Sequence, residues 1–293
     1  MNILNYGSLN LDYVYAVPHF VQPGETLEIS SREIKAGGKG LNQSVALARA
    51  GAHVFHAGVI GTGGEPLLQY LQENGVHTEY LYPAEEIQGH TVIQVNAQGE
   101  NCILLYGGSN RCQQSEQITK TISAFREGDW LVLQNEINRL PEIVDAAAAR
   151  GMIIVLNPSP YQETLRKVDF ERLSWLILNE IEAEQLTGEK NPGKAWERIH
   201  DRWPRLSALI TLGSQGSAAF RVNGKNVETV CQPAERVNAV DTTGAGDTFT
   251  GYFIAGLTEG LSLSESMLLA TRAAAVSVTR HGAAESVPYR KEL

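Results

Sequence analysis

A stretch near the end of the chain combines two acidic residues with two glycines in a pattern that suits phosphate chemistry. It reads Asp241-Thr242-Thr243-Gly244-Ala245-Gly246-Asp247-Thr248-Phe249, and a helix is predicted from about Ala245 to Thr258. Small residues at a helix start let backbone N–H groups approach an anion, and the helix dipole adds partial positive charge there. Because an acid would repel that anion, its presence favours proton abstraction beside a phosphate under transfer. The structural alternative is a glycine-rich turn with Asp241 as a helix cap.

A second glycine-rich stretch, Ala36-Gly37-Gly38-Lys39-Gly40-Leu41-Asn42, precedes a helix of small residues predicted over 44–50. It is not a Walker A loop, which needs four residues between its first glycine and Gly-Lys and then Ser or Thr. Its glycines permit close approach of the backbone to a ligand, and Asn42 lies in the first turn facing the same mouth. A flexible loop with a solvated Lys39 is the alternative interpretation.

Polar residues also stand where predicted strands end. In α/β proteins the carboxyl ends of parallel strands form the edge that binds ligands, and a structural protein has no need of a polar row there. Asn179 and Glu182 lie about one helical turn apart, so both can face a hydrated Mg²⁺ ion, which takes only one or two carboxylates. A helix-capping box gives a similar spacing. The set comprises Asn10, Asp12, Gln134, Asn135, Glu136, Asn157, Asn179, Glu182, Thr211, Gly213 and Asp247.

The elements that position these residues alternate regularly between strand and helix patterns. Such alternation predicts a mostly parallel sheet wrapped by helices on both faces, a three-layer α/β/α architecture. Two strand pairs interrupt it, inserted at about 11–36 and 88–107, and together they are expected to form a small β-sheet lid over the site. We expect residues 1–293 to form one domain.

Composition narrows the classes of function. Hydrophobic residues make up 43% of the chain and charged residues 19%, which is typical of a globular core. The net charge of −9 without a basic stripe argues against nucleic acid or an anionic membrane as partner. Three scattered cysteines favour a reducing compartment. With no signal peptide pattern and no apolar run near the ~20 residues of a membrane span, a cytoplasmic location is expected.

The two glycine-rich stretches together resemble the signatures of the ribokinase-like (PfkB) carbohydrate kinase family, and most closely its ribokinase members. The N-terminal signature matches 37–43 and the C-terminal one matches 241–249. The resemblance covers essentially the whole chain, because further matches occur at 7–12, 23–26, 179–182 and 211–216. It implies transfer of the γ-phosphate of ATP to a sugar hydroxyl.

The resemblance also implies roles for individual residues. Asp247 would be the general base, and the N–H groups of Gly244, Ala245 and Gly246 would form the anion hole. Glu182 would hold Mg²⁺ through water. Sugar-binding positions are matched by Asn10, Asp12, Gly38, Lys39, Asn42 and Glu136. Nucleotide-binding positions are matched by Asn179, Thr211, Gly213 and Gly216.

A monovalent cation site, for K⁺, is implied by the same resemblance. It would lie beneath the anion-hole loop and fix the shape of that loop without touching ATP. The matching positions bind mostly through backbone carbonyls and are Asp241, Thr243, Ser277, Arg280, Gly282 and Ser286.

The expected substrates are therefore ATP and a small sugar, with a ribose-like pentose first. A nucleoside, ketohexose or deoxysugar kinase of the same family remains an alternative, as does a catalytically silent sugar-binding regulator. Glu136 and the Asn10/Asp12 pair favour a free sugar, because a nucleoside needs an apolar or aromatic shelf for its base. The retained Asp247 argues against the silent regulator. Exposed edges of the lid strands invite pairing, so a homodimer through the lid sheet is a further hypothesis.

Overall fold

Thirteen strands form two separate sheets in a computed structural model that describes residues 1–293. Their bounds in chain order are β1 Ile3–Tyr6, β2 Asn10–Ala16, β3 Ser31–Gly37, β4 Val54–Thr62, β5 His77–Ile87, β6 His90–Val95, β7 Asn101–Tyr106, β8 Trp130–Gln134, β9 Ile153–Asn157, β10 Trp175–Asn179, β11 Ser207–Thr211, β12 Ser217–Asn223 and β13 Asn226–Gln232.

Nine of these strands make the central sheet, in the order β13-β12-β11-β10-β9-β8-β1-β4-β5. All neighbours from β11 to β5 run parallel, whereas β12 and β13 are antiparallel additions at one edge. The parallel strands are almost continuously apolar and buried, as expected of strands covered on both faces. Their carboxyl ends therefore form one common edge.

Eight helices cover the two faces of the central sheet. Separate buried apolar clusters lie under α3 to α6 on one face and under α1, α2, α7 and α8 on the other. This confirms the predicted three-layer α/β/α architecture. The helices are α1 Lys39–Arg49, α2 Glu65–Glu73, α3 Ser115–Ser123, α4 Leu140–Ala149, α5 Glu180–Thr187, α6 Pro192–Arg202, α7 Ala245–Glu259 and α8 Leu263–Ser277.

The smaller sheet joins two insertions that are distant in sequence. Its order is β3-β2-β6-β7, so that each insertion contributes one hairpin-like pair and the parallel pairing of β2 with β6 holds them together. Every residue of the edge strand β7 is exposed, including Ile103, Leu104 and Leu105. The small inserted sheet that the sequence predicts is thus present.

No helix combines the length and the apolar character needed to cross a bilayer.

Candidate active site

The carboxylate of Asp247 lies in the first turn of α7 and is only 6% exposed. Its two oxygens each accept one hydrogen bond from a side-chain amide in the first turn of α1. Gln43 Nε2 donates to Oδ1 at 2.9 Å, and Asn42 Nδ2 donates to Oδ2 at 3.0 Å. The fold therefore brings the two glycine-rich stretches together, about two hundred residues apart in sequence, at the starts of two helices.

The loop that leads into α7 presents free backbone donors. Gly244 caps the helix with φ of 73°, and a Cβ there would lie 2.9 Å from Ala283 Cα, so only glycine fits. The N–H groups of Gly244 and Gly246 make no hydrogen bond within the protein, whereas that of Ala245 donates to the Thr242 carbonyl at 3.3 Å. Two of the three predicted anion-hole donors are thus free to meet an anion, and the third is shared.

Positive charge is supplied beside the carboxylate by Lys39. The negative charge of Asp247 is the largest influence that raises the pKa of Lys39; burial opposes it, and Glu136 adds to it. The Glu136 carboxylate in turn accepts hydrogen bonds from the Ser8 hydroxyl and from the Lys39 backbone N–H, the latter at 3.0 Å. Gly38 precedes this point as the residue before α1, with φ of 92°. Lys39 therefore stays protonated, close to the carboxylates of Asp247 and Glu136.

Two adjoining cavities hold the remaining predicted residues. The first has a volume of about 210 Å³ and places Lys39 and Asp247 opposite Asn157, Asn179 and Glu182. The second, of about 390 Å³, contains Gly213, Gly216 and Ala245. Because Thr211 and Gly246 line both cavities, the two are contiguous. The predicted nucleotide residues therefore lie beside the predicted catalytic ones.

The second cavity has an apolar wall that sequence reasoning missed. Ala274 and Ala275 of α8 line this cavity with small side chains, and Phe249 of α7 lines it with an aromatic ring. The hydroxyl of Thr271 is buried in this wall without a hydrogen-bond partner. The signal in the sequence was the run Ala273-Ala274-Ala275, which is too small to fill a helix–sheet interface. A flat apolar slot of this kind suits a nucleobase.

Asn179 and Glu182 form the helix-capping box that the sequence left as an alternative. Glu182 N donates to Asn179 Oδ1 at 2.8 Å, and Asn179 N donates to Glu182 Oε2 at 3.1 Å. Glu182 also lines the first cavity and is 5% exposed. No group of three His, Cys, Asp or Glu side chains gathers as a direct metal cage. A single carboxylate at a polar cavity fits a largely hydrated Mg²⁺, so this role stays a prediction.

The sugar-binding candidates of the lid lie apart from both cavities. Asp12 lies on β2, where its Oδ1 accepts a hydrogen bond from Thr91 Oγ1 of β6 at 2.6 Å. Gly37 on β3 leaves room for the other oxygen, since a Cβ there would lie 1.9 Å from Asp12 Oδ2. Asn10 is buried, and its Oδ1 accepts from Asn110 Nδ2 at 2.8 Å.

The carboxyl of Asp12 is not readily ionised. Its pKa is raised to about 6, chiefly by burial and to a smaller extent by the charges of Glu136 and Glu285, while the hydrogen bond from Thr91 opposes the rise. Asp12 is thus near enough to Glu136 for the two negative charges to repel. Asp12 is therefore a half-buried acid that changes charge just below neutral pH.

The residues of the predicted cation site meet behind the start of α7. Asp241 accepts hydrogen bonds from Thr243 N and Gly282 N, both at 2.9 Å; burial opposes ionisation, but these bonds lower its pKa overall. The hydroxyls of Ser277 and Ser286 donate to backbone carbonyls of their own turns. The Arg280 guanidinium pairs with Glu292. These four side chains are thus engaged within the protein, and binding of a cation through backbone carbonyls stays a prediction.

The chain is similar in sequence and in fold to carbohydrate kinases. The family profile described as "pfkB family carbohydrate kinase" matches residues 2–290. The ribokinase of Haemophilus influenzae is 36% identical, over 98% of this chain and 95% of its own. The structure of a ribokinase from Cryptococcus neoformans in complex with ADP has a TM-score of 0.85 and 35% identity, covering 99% of this chain and 97% of its own. An Arabidopsis thaliana ribokinase complexed with ribose and ATP has a TM-score of 0.86 and 27% identity, with 99% and 96% covered.

The Asp12→Asn variant tests the electrostatic description of the lid. A folded-state pKa raised from 3.8 to about 6 means that the free energy of unfolding falls as the pH rises through that window. Replacing the acid by its neutral isostere should raise the free energy of unfolding at pH 7.5 by up to about 3 kcal/mol and have less effect at pH 4. Thermal melts at both pH values measure this, with the exposed Asp201→Asn as control. Equal or lower stability of Asp12→Asn at pH 7.5 would contradict it.

Proposed function

This chain belongs to the pfkB family of carbohydrate kinases and is an ATP-dependent sugar kinase, and we propose that Asp247 is the general base which activates the sugar hydroxyl. The observation that carries the proposal is the position of its carboxylate. Asp247 is held by two amide donors at the start of α7, beside Lys39, in a cavity continuous with the apolar slot. A ribose-like pentose is the best candidate substrate, by analogy with the ribokinases that the chain resembles.

Catalysis would begin with proton transfer to Asp247. The hydroxyl oxygen of the sugar loses its proton to a carboxylate oxygen and attacks the γ-phosphorus of ATP, while the bond to the β-phosphate oxygen breaks and ADP leaves. Negative charge accumulates on the transferring group. The unbonded N–H groups of Gly244 and Gly246 and the positive end of the α7 dipole would stabilise that charge, as preorganised donors. Lys39 adds a fixed positive charge nearby.

The sugar would be held between the lid and the starts of the two helices. Asn42 Oδ1 is buried without a partner, so a sugar hydroxyl that donates to it would satisfy it. Asp12 and Glu136 supply carboxylate acceptors for further hydroxyls, with Asn10 and the backbone of Gly38 beside them. This acceptor-rich lining suits a small free sugar and offers no flat apolar surface for the base of a nucleoside.

ATP would occupy the second cavity, with its base in the slot formed by Phe249 and α8 and its phosphates toward Gly246 and Asp247. The nucleotide would lie at the carboxyl end of β11, next to Thr211, Gly213 and Gly216. Glu182 and Asn179 would hold, through water, the Mg²⁺ ion that ATP-dependent kinases of this family generally use. The ion neutralises phosphate charge when it is bound.

An ATP-consumption screen over pentoses, deoxypentoses, hexoses and nucleosides tests this function. We expect the highest kcat/KM with a ribose-like pentose. The Asp247→Asn variant should lower kcat by about 10²–10⁴-fold, because it removes the proton acceptor, with smaller changes in KM for sugar and ATP. Asp201→Asn is the matched surface control. Near-normal turnover by Asp247→Asn would refute the base assignment, and a clear preference for nucleosides would refute the substrate assignment.

Potassium should activate the enzyme. We propose that backbone carbonyls around Asp241, Thr243, Ser277, Arg280, Gly282 and Ser286 bind one K⁺, which would stiffen the loop before α7 on which the free N–H groups depend. The initial rate at saturating substrates should be higher in KCl than in NaCl or choline chloride at equal ionic strength. Equal rates in the three salts would remove the cation site from the proposal.

A homodimer through the lid sheet is proposed from the exposed apolar strand β7, in which Leu104 is 67% exposed. Light scattering at micromolar concentration should give twice the mass of the chain. The Leu104→Asp variant should shift the mass toward a monomer, whereas the same change at Val227, on the exposed strand β13, should not. A monomeric mass for the unaltered protein would refute the dimer.

A further inference from the structure

A chain of buried side-chain amides runs from inside the central sheet to Asp247. It links Asn5 of β1, Gln134 at the end of β8 and Gln43 of α1, all of which are at most 1% exposed. Gln134 Nε2 donates both to Asn5 Oδ1 at 2.9 Å and to Gln43 Oε1 at 2.7 Å. Gln43 Nε2 then donates to Asp247 Oδ1 at 2.9 Å. Amides this deeply buried are costly to leave unpaired, so their arrangement is under strong constraint.

A backbone carbonyl fixes the direction in which these buried amides donate their hydrogen bonds. Asn5 Nδ2 donates to Gly40 O at 2.7 Å and to Ser44 Oγ at 2.8 Å. Since a carbonyl oxygen only accepts hydrogen bonds, Asn5 must turn its NH₂ group toward Gly40 and its oxygen toward Gln134. Gln134 must then point its NH₂ group at both neighbours, which leaves Gln43 with its oxygen toward Gln134 and its NH₂ group toward Asp247.

A second anchor enforces the same orientation from the opposite side. The other N–H of Gln43 donates to Asn157 Oδ1 at 3.2 Å, and Asn157 Nδ2 donates to Ile177 O at 2.8 Å. Asn157 is therefore also locked by a backbone carbonyl with its oxygen facing Gln43. Two independent anchors agree that Gln43 presents donors, and never its oxygen, to the Asp247 carboxylate.

The end of this series of amides that is remote from Asp247 carries no charge. Ser44 Oγ accepts from Asn5 Nδ2 and shares a second hydrogen bond, of 2.8 Å, with His56 Nδ1. Burial lowers the pKa of His56 to about 3, so the imidazole is neutral. The charged group closest in effect to Asp247 is Lys39, whose pKa is raised first of all by Asp247 and, to a smaller extent, by Glu136 and Glu182. The amide chain thus supplies orientation, while the charge comes from Lys39.

From this geometry we infer that Gln43 is a positioning residue for Asp247: anchored through Gln134 and Asn5 to Gly40, it holds the carboxylate in one rotamer. The inference rests on the proposed role of Asp247 as general base. A carboxylate that must accept a proton only in the transition state benefits from a fixed donor, because the donor prevents the side chain from turning toward Lys39.

The Gln43→Met variant tests the inference, because methionine keeps the length of glutamine and removes both donors. We expect kcat to fall by about 10–100-fold with KM for sugar and ATP within about threefold, since orientation of the base is lost while the binding surfaces remain. The acid limb of the kcat–pH profile should move to higher pH, because a carboxylate that loses a donor is protonated more readily. Gln134→Met should show the same shifts more weakly.

Gln88→Met is the matched control. Gln88 is 1% exposed and makes two amide hydrogen bonds, to Leu9 O and from Gly61 N, but has no link to Asp247. It should show a comparable loss of Tm with kcat within about threefold and an unmoved pH profile. A Gln43→Met enzyme that behaves like this control would overturn the inference.

A double-mutant cycle separates failure of the inference from failure of the proposed function. In an Asp247→Asn background, Gln43→Met should change the residual kcat by less than about twofold, because Gln43 acts only through that carboxylate. Full additivity of the two substitutions would overturn the inference and leave the base intact. If Asp247→Asn alone kept its turnover, the base assignment would fail first.

Discussion

The structure of the site depends on one buried carboxylate, that of Asp247, which is 6% exposed and needs protein donors in place of lost water. A buried carboxylate reverts to its neutral form unless donors and a counter-charge compensate for lost hydration. Asp247 receives two amide N–H groups from α1, the ammonium of Lys39 and the dipole of its own helix. The two amides and the ammonium all belong to α1, about two hundred residues away in sequence, so the packing of α1 against α7 shapes the site as well as the core.

Asp12 shows what happens without that compensation. It has one hydroxyl donor, from Thr91, and a neighbouring carboxylate in place of a cation, and its pKa rises to about 6. The two acids thus differ in environment more than in type. Asp247 accepts hydrogen bonds from two buried amides, whereas Asp12 accepts one from a hydroxyl and lies near the charge of Glu136.

Much of the fold followed from the sequence, because alternating strand and helix patterns leave few ways to cover a parallel sheet. The exception was β5, His77–Ile87, whose glutamates and Pro83 obscure a strand that pairs only with β4. The residues of the candidate site that could be predicted are those in glycine-rich motifs or at strand ends. The roles of Gln43 and Thr91 could not be predicted, because they depend on which amide meets which carboxylate and on the register between β2 and β6.

The construction of the lid has a consequence for the order in which the protein folds. Leu11 pairs with His90 across two insertions, so the small sheet contains few local contacts between its halves and closes a long loop of chain. Such pairing becomes favourable only after β1, β4 and β5 have brought the segments that flank the two insertions side by side. The lid should therefore form late and open first, as a separate cooperative unit whose hydrogen exchange is faster than that of the sheet beneath it.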